Sequence, residues 1–222
     1  MTDNAKKVLH LIKYGYQTKM NLGLGVFFLL FGIFMKFVGV IASGFEVLFI
    51  LMLPIFFCQI LYGLGCVQMS SSSSLKRWLT VYMPDIITDV LVFLGLVLYY
   101  VISLIARENN ILYIWGDSME MMDVGGLMAC GGVMAFMLMC YIAGCYKYYW
   151  AFTVLFVVVM AIYGGASAAF DEYLRGVSQA QGVAIAALMY VAGVIVSGAI
   201  RRLTYKVPVS SIAVGKRLGN QI

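Results

Sequence analysis

The chain has 222 residues, a hydrophobic share of 63% and a net charge of +5, and its mean hydropathy is +0.96. So apolar a composition excludes an ordinary soluble domain. Apolar runs take up most of the length, so no room is left for a soluble catalytic or nucleotide-binding domain. No G-x-x-x-x-G-K-[ST] phosphate loop occurs. The positive charge goes with anionic lipid headgroups and is no sign of nucleic-acid binding.

Residues 3–19, DNAKKVLHLIKYGYQTK, read as an amphipathic helix lying on the membrane. Val8, Leu9, Ile12 and Tyr16 recur at helical spacing, with Lys6, Lys7 and Lys13 on the polar side. A disordered basic tail is the alternative. Crossing a bilayer takes about 20 consecutive apolar residues. Six runs meet that need: Asn21–Ala42, Phe45–Gln68, Asp85–Ala106, Val124–Tyr146, Tyr148–Gly165 and Gly182–Ile200. The fold class expected is all-α, a polytopic membrane protein. It divides into an interfacial helix over 1–20, a six-helix bundle over 21–200 and a basic tail over 201–222.

The first span is too long for a signal-peptide core and is expected to be an uncleaved anchor. A tight hairpin at Ser43 and Gly44 makes spans one and two antiparallel neighbours. Pro54 is expected to kink the second span. In the connection MSSSSSLKRWLTVYMP, five serines precede a short amphipathic helix over Leu75–Met83. Leu75, Trp78, Leu79 and Tyr82 fall on one of its faces, and Pro84 then opens span three. A headgroup anchor and a protein contact both fit this helix, since Trp and Tyr favour the membrane interface. Both outward segments are expected to carry structure: the acidic loop Arg107–Asp123 fits an interfacial helix or lid, and Ala166–Gln181 a short helix at the outer surface. Gly125/Ala129 and Gly182/Ala186 have the small-residue spacing that lets helices approach closely, within the chain or between two copies.

Twelve of the 15 Lys and Arg residues flank one side of the spans. Arg107 and Arg175 lie on the other side with Glu46, Glu108, Asp117, Glu120, Asp123, Asp171 and Glu172. The positive-inside rule places both termini in the cytoplasm. Charges inside spans are few. Lys36 either snorkels outward or meets Glu46 across the hairpin. Helix initiation accounts for Asp85, and Asp89, one turn deeper, is the better candidate for an interhelical partner or a cation-facing wall. His10 is the single histidine and precedes the spans, so no His-based nucleophilic or metal arrangement forms in the bundle. Cys58, Cys66, Cys130, Cys140 and Cys145 all sit in apolar runs without a C-x-x-C pair, which favours small buried hydrophobes over a disulfide or metal framework.

This layout resembles the short permease subunits of type-2 ATP-binding-cassette exporters. The counterparts are residues 3–19 before span one, SLKRWLTVYMP as a coupling helix between spans two and three, and Ala166–Gln181 before span six. The likeness is greatest to small Gram-positive permeases for peptide toxins or bacteriocins, in export or immunity. The Arg-bearing loop that many relatives carry after that proline is absent. The resemblance implies a bacterial cytoplasmic-membrane exporter subunit, not itself an enzyme, moving a hydrophobic or amphipathic substrate such as a peptide. ATP and Mg would be held by a separate cytoplasmic ATP-binding subunit, with no cofactor on this chain. That subunit would dock at Leu75, Lys76, Arg77, Trp78, Leu79 and Tyr82. A second copy of the chain would complete a pathway lined by Phe27, Phe31, Phe34, Phe56 and Asp89. The alternatives are a non-transporting scaffold or immunity protein and an ion-coupled small-molecule carrier.

Overall fold

The computed structural model describes residues 18–38, 46–67, 77–108, 124–145, 147–169, 173–174 and 176–206. Among them the chain is helical and contains no strand. The helices are α1 (Thr18–Val38), α2 (Glu46–Ile50), α3 (Met52–Val67), α4 (Met83–Glu108), α5 (Val124–Cys145), α6 (Tyr149–Ala169) and α7 (Gln179–Thr204), with a π-helical turn over Trp78–Tyr82. Among the described residues, four apolar stretches are long enough to cross a membrane: Thr18–Phe37, Thr80–Glu108, Val124–Cys145 and Gln179–Thr204. Two further apolar helices, Glu46–Tyr62 and Tyr149–Tyr163, are shorter.

The centre of the bundle is α5. Its apolar window is 72% buried, against 22%, 39% and 17% for α1, α4 and α7. A helix apolar on every side belongs inside. Met134, Leu138, Met139 and Ile142 of α5 are essentially inaccessible, and they pack with Leu51, Tyr62 and Tyr99 from neighbouring helices. The small residues of α5 and α7 meet inside the chain. A Cβ on Gly182 would collide with the backbone of Gly125, and one on Gly132 would lie 2.5 Å from the Ala186 Cα. Apolar side chains gain little from leaving lipid, so close backbone packing of this kind is what holds membrane helices together. The Gly125 and Gly182 stripes are thus used by the fold itself.

The antiparallel pairing of the first hairpin is as expected. Gly25 faces Leu53 and Phe56, while Gly32 faces Ile50 and Phe49. The two prolines act differently. The second apolar run is interrupted at Leu51, within the turn where Pro54 cannot donate to the Ile50 carbonyl and its ring presses on it, as expected of a proline kink. Pro84, by contrast, does not start a helix. The helix runs unbroken from Arg77 to Glu108, and the Met83 N–H donates to the Trp78 carbonyl in a π turn. In an α geometry the Pro84 ring would press on the Thr80 carbonyl, and the wider π turn relieves that clash.

Of the expected short helix over Ala166–Gln181, the described ends belong to two longer helices. Its first residues finish α6 and its last ones begin α7. A capping box explains the start of α7, since Ser178 Oγ accepts from the Gln181 N–H at 3.3 Å and Gln181 Oε1 accepts from the Ser178 N–H at 3.0 Å. The expected interfacial helix lies outside the described residues except for Thr18 and Lys19, which open α1. Of the loop Arg107–Asp123, only Arg107 and Glu108 are described, and they close α4.

The seam yields a paired prediction. Gly182→Leu forces a side chain into the Gly125 backbone and destabilises the bundle by at least about 1–3 kcal/mol. Gly198→Leu enters open space and leaves stability unchanged or slightly raised, because Gly is a poor helix former. Thermal melting of the two variants in detergent distinguishes these outcomes.

Candidate functional site

Charged side chains within membrane-crossing helices are the first place to look for function, and the described residues hold two clusters of them. The first joins α1, α2 and α4. Lys36 Nζ lies 2.7 Å from Glu46 Oε1, with side-chain exposures of 3% and 1%. The Tyr99 hydroxyl donates to the same oxygen at 3.0 Å, and the Lys36 ammonium lies 5.0 Å from the Tyr99 ring centroid. Lys36 therefore does not snorkel. Glu46, expected on the acidic surface, is buried in the bundle. Helix α1 brings Lys36 to its last turn and α2 begins with Glu46, so the ion pair closes the first hairpin. Glu46 Oε2 has no hydrogen-bond partner.

The second cluster lies at the basic end of the bundle, around Arg201. This residue is 3% exposed, stands on α7 and is not part of a tail. Its Nη1 pairs with Asp85 Oδ1, and its Nη2 donates to Thr88 Oγ1 at 3.1 Å. Thr88 Oγ1 is in turn 3.3 Å from Cys58 Sγ. Asp85, assigned above only to helix initiation, is thus the interhelical partner. That role does not fall to Asp89, whose Oδ1 has no hydrogen-bond partner; instead its backbone carbonyl accepts from the Tyr190 hydroxyl at 3.1 Å. Lys147, in the α5–α6 connection, is also buried and donates to the Tyr205 carbonyl at 3.4 Å. Cations there complement the carbonyl end of α7.

The π turn sits against this cluster. Arg77 lies over the Tyr82 ring at 5.4 Å and the Tyr205 ring at 5.6 Å, and Trp78 packs on Tyr82 at 5.8 Å. Arg77 and Tyr82 are exposed and Trp78 is half-buried. The other residues expected to form this contact, Leu75 and Lys76, lie outside the described residues, as does the Leu79 side chain. A polar cavity of about 10 Å³ between Thr80, Lys147 and Arg201 has the size of one water molecule.

The phenylalanines expected along a pathway divide into two sets. Phe27 and Phe34 are each 58% exposed on α1. Phe31 packs edge-on against Phe49 at 5.1 Å, and Phe56 stacks on Phe28 at 5.6 Å. The latter two belong to an aromatic seam between α1 and the α2–α3 segment, in which the sequence reading missed Phe28 and Phe49. Arg201 was missed as well, although a signal for it existed. The buried stripe of α7 is Gly182, Ala186, Gly193, Ser197 and Arg201, so the cation continues the small-residue face at helical spacing.

Comparison of the chain with protein families, characterised proteins and solved structures returns no match. Its reading therefore rests on its own residues.

Removing one member of a buried ion pair strands the other charge, at a cost of about 3–5 kcal/mol. Lys36→Met is expected to destabilise the bundle by that amount, and adding Glu46→Gln is expected to recover most of it. Denaturation in mixed micelles provides the measurement.

Proposed function

We propose that this chain is the permease subunit of an ATP-driven exporter of hydrophobic or amphipathic substrates, peptides among them. Two copies form the pathway, and a separate ATP-binding subunit docks on the cytoplasmic face. The observation that carries this reading is the π turn Trp78–Tyr82 at the basic end. It presents exposed Arg77 and Tyr82 beside half-buried Trp78 and continues without a break into α4. The Asp85–Arg201 pair then ties α4 to α7. A push on the turn would reach two crossing helices through a backbone and a half-buried ion pair, as coupling of ATP hydrolysis to a membrane pathway requires.

Buried aromatic anchors dominate most protein interfaces. Purification of the tagged chain from its native membrane is expected to retain an ATP-hydrolysing subunit, with two of each chain in the native mass spectrum. Trp78→Ala is expected to weaken that retention about tenfold or more. A monomer that retains no ATPase would sink the proposal.

The charge asymmetry supports six spans with both termini in the cytoplasm. In a background lacking the five cysteines, Asn110→Cys and Ser178→Cys are expected to react with an impermeant thiol reagent in intact cells, and Ser72→Cys to remain unlabelled. Labelling at position 72 alone would reverse the orientation.

A further inference from the structure

We infer that the groove between α4 and α7 binds a lipophilic cation, with its charged head at Asp89 and its apolar part running along the groove. The groove has a volume of about 280 Å³, and its walls include Phe93, Val97 and Tyr100 of α4 and Val183, Ala187 and Tyr190 of α7. That volume lies just below the range of roughly 300–1,000 Å³ for drug-sized ligand sites and suits a small amphiphile. Its lining carries no charged side chain. One end is fixed by Tyr190, whose hydroxyl donates to the Asp89 backbone carbonyl at 3.1 Å, and Asp89 precedes Phe93 by one turn on the same face of α4. The Phe93 and Tyr190 rings meet there at 5.8 Å, and aromatic faces attract cations.

Charge selects the occupant. Asp85 and Asp89 are one turn apart on α4, and Arg201 reaches this turn from α7. Arg201 is committed to Asp85 and Thr88, which leaves one carboxylate in excess. Asp89 Oδ1 is buried without a hydrogen-bond partner. An unmatched carboxylate inside a membrane helix is costly, and a cation arriving from the bilayer offsets that cost. An anionic amphiphile would add a second unmatched charge, and a neutral one would leave the first unmatched. This inference deepens the proposed function by naming a substrate class. It is tested on the isolated chain, so the two readings fail separately.

The test uses the full chain in nanodiscs and radiolabelled dodecyltrimethylammonium below its micellar concentration. Dodecanol and dodecanoate serve as competitors with the same tail. Saturable binding is expected, displaced by unlabelled dodecyltrimethylammonium at least about tenfold more effectively than by either competitor. Asp89→Asn is expected to weaken binding about tenfold. Ala187→Trp fills the groove from its exposed rim, leaves the core untouched and is expected to abolish saturable binding, so a poorly folding Asp89→Asn does not block the test. Equal displacement by all three compounds, or unchanged binding in folded Asp89→Asn or in Ala187→Trp, would overturn the inference.

Discussion

The close approach of α5 and α7 is the constraint on which the rest of the bundle depends. At Gly125 and Gly182 the two backbones meet with no room for a side chain on either, and Gly132 rides on Ala186 further along. With α7 held so near, α5 is enclosed and becomes the core against which α4 and the α2–α3 segment pack. Large residues on this seam would push the helices apart. The dispersion contacts that replace hydrophobic driving force in a membrane would then be lost.

Two ion pairs act on that frame from opposite ends. Lys36–Glu46 closes the first hairpin and meets α4 through Tyr99. Asp85–Arg201 ties the start of α4 to the end of α7. Taking charges out of water is expensive, and a buried pair is retained only where its geometry is good or its specificity is needed. The first pair fixes how the hairpin closes and the second joins segments 116 positions apart, so each selects one helix arrangement over the alternatives that greasy surfaces alone would permit. Tyr62, whose hydroxyl donates to the Ile142 carbonyl at 3.0 Å, adds a third such tie between α3 and α5.

The basic end gathers the parts suited to signalling across the bundle. Proline at position 84 forces a wide turn, and that turn carries Trp78 and Tyr82 beside Arg77. Lys147 and Arg201 converge behind it. Strained or irregular helical turns are common where function concentrates. The apolar groove beside Phe93 and Tyr190 begins one turn of α4 beyond Asp89, so the proposed docking surface and the proposed binding site share α4 as a common rod.

Sequence alone determined the all-helical, membrane-crossing character, because long apolar runs admit no other solution in lipid. It also indicated the antiparallel first hairpin and the small-residue stripes on α5 and α7. Periodicity and composition are local properties, and each of these conclusions is local. Which charges would pair was decided by the tertiary structure. Lys36 and Glu46 are separated by a hairpin, whereas Asp85 and Arg201 are 116 positions apart, and no spacing rule joins them. Whether Gly125 and Gly182 face a second copy or each other was likewise undecided until the helices were placed, since a small-residue stripe looks the same in both cases. The two prolines show the same division. Their missing N–H was legible, but where the chain would relieve the clash depended on the packing of Leu51 and Thr80 into a core that only the folded bundle contains.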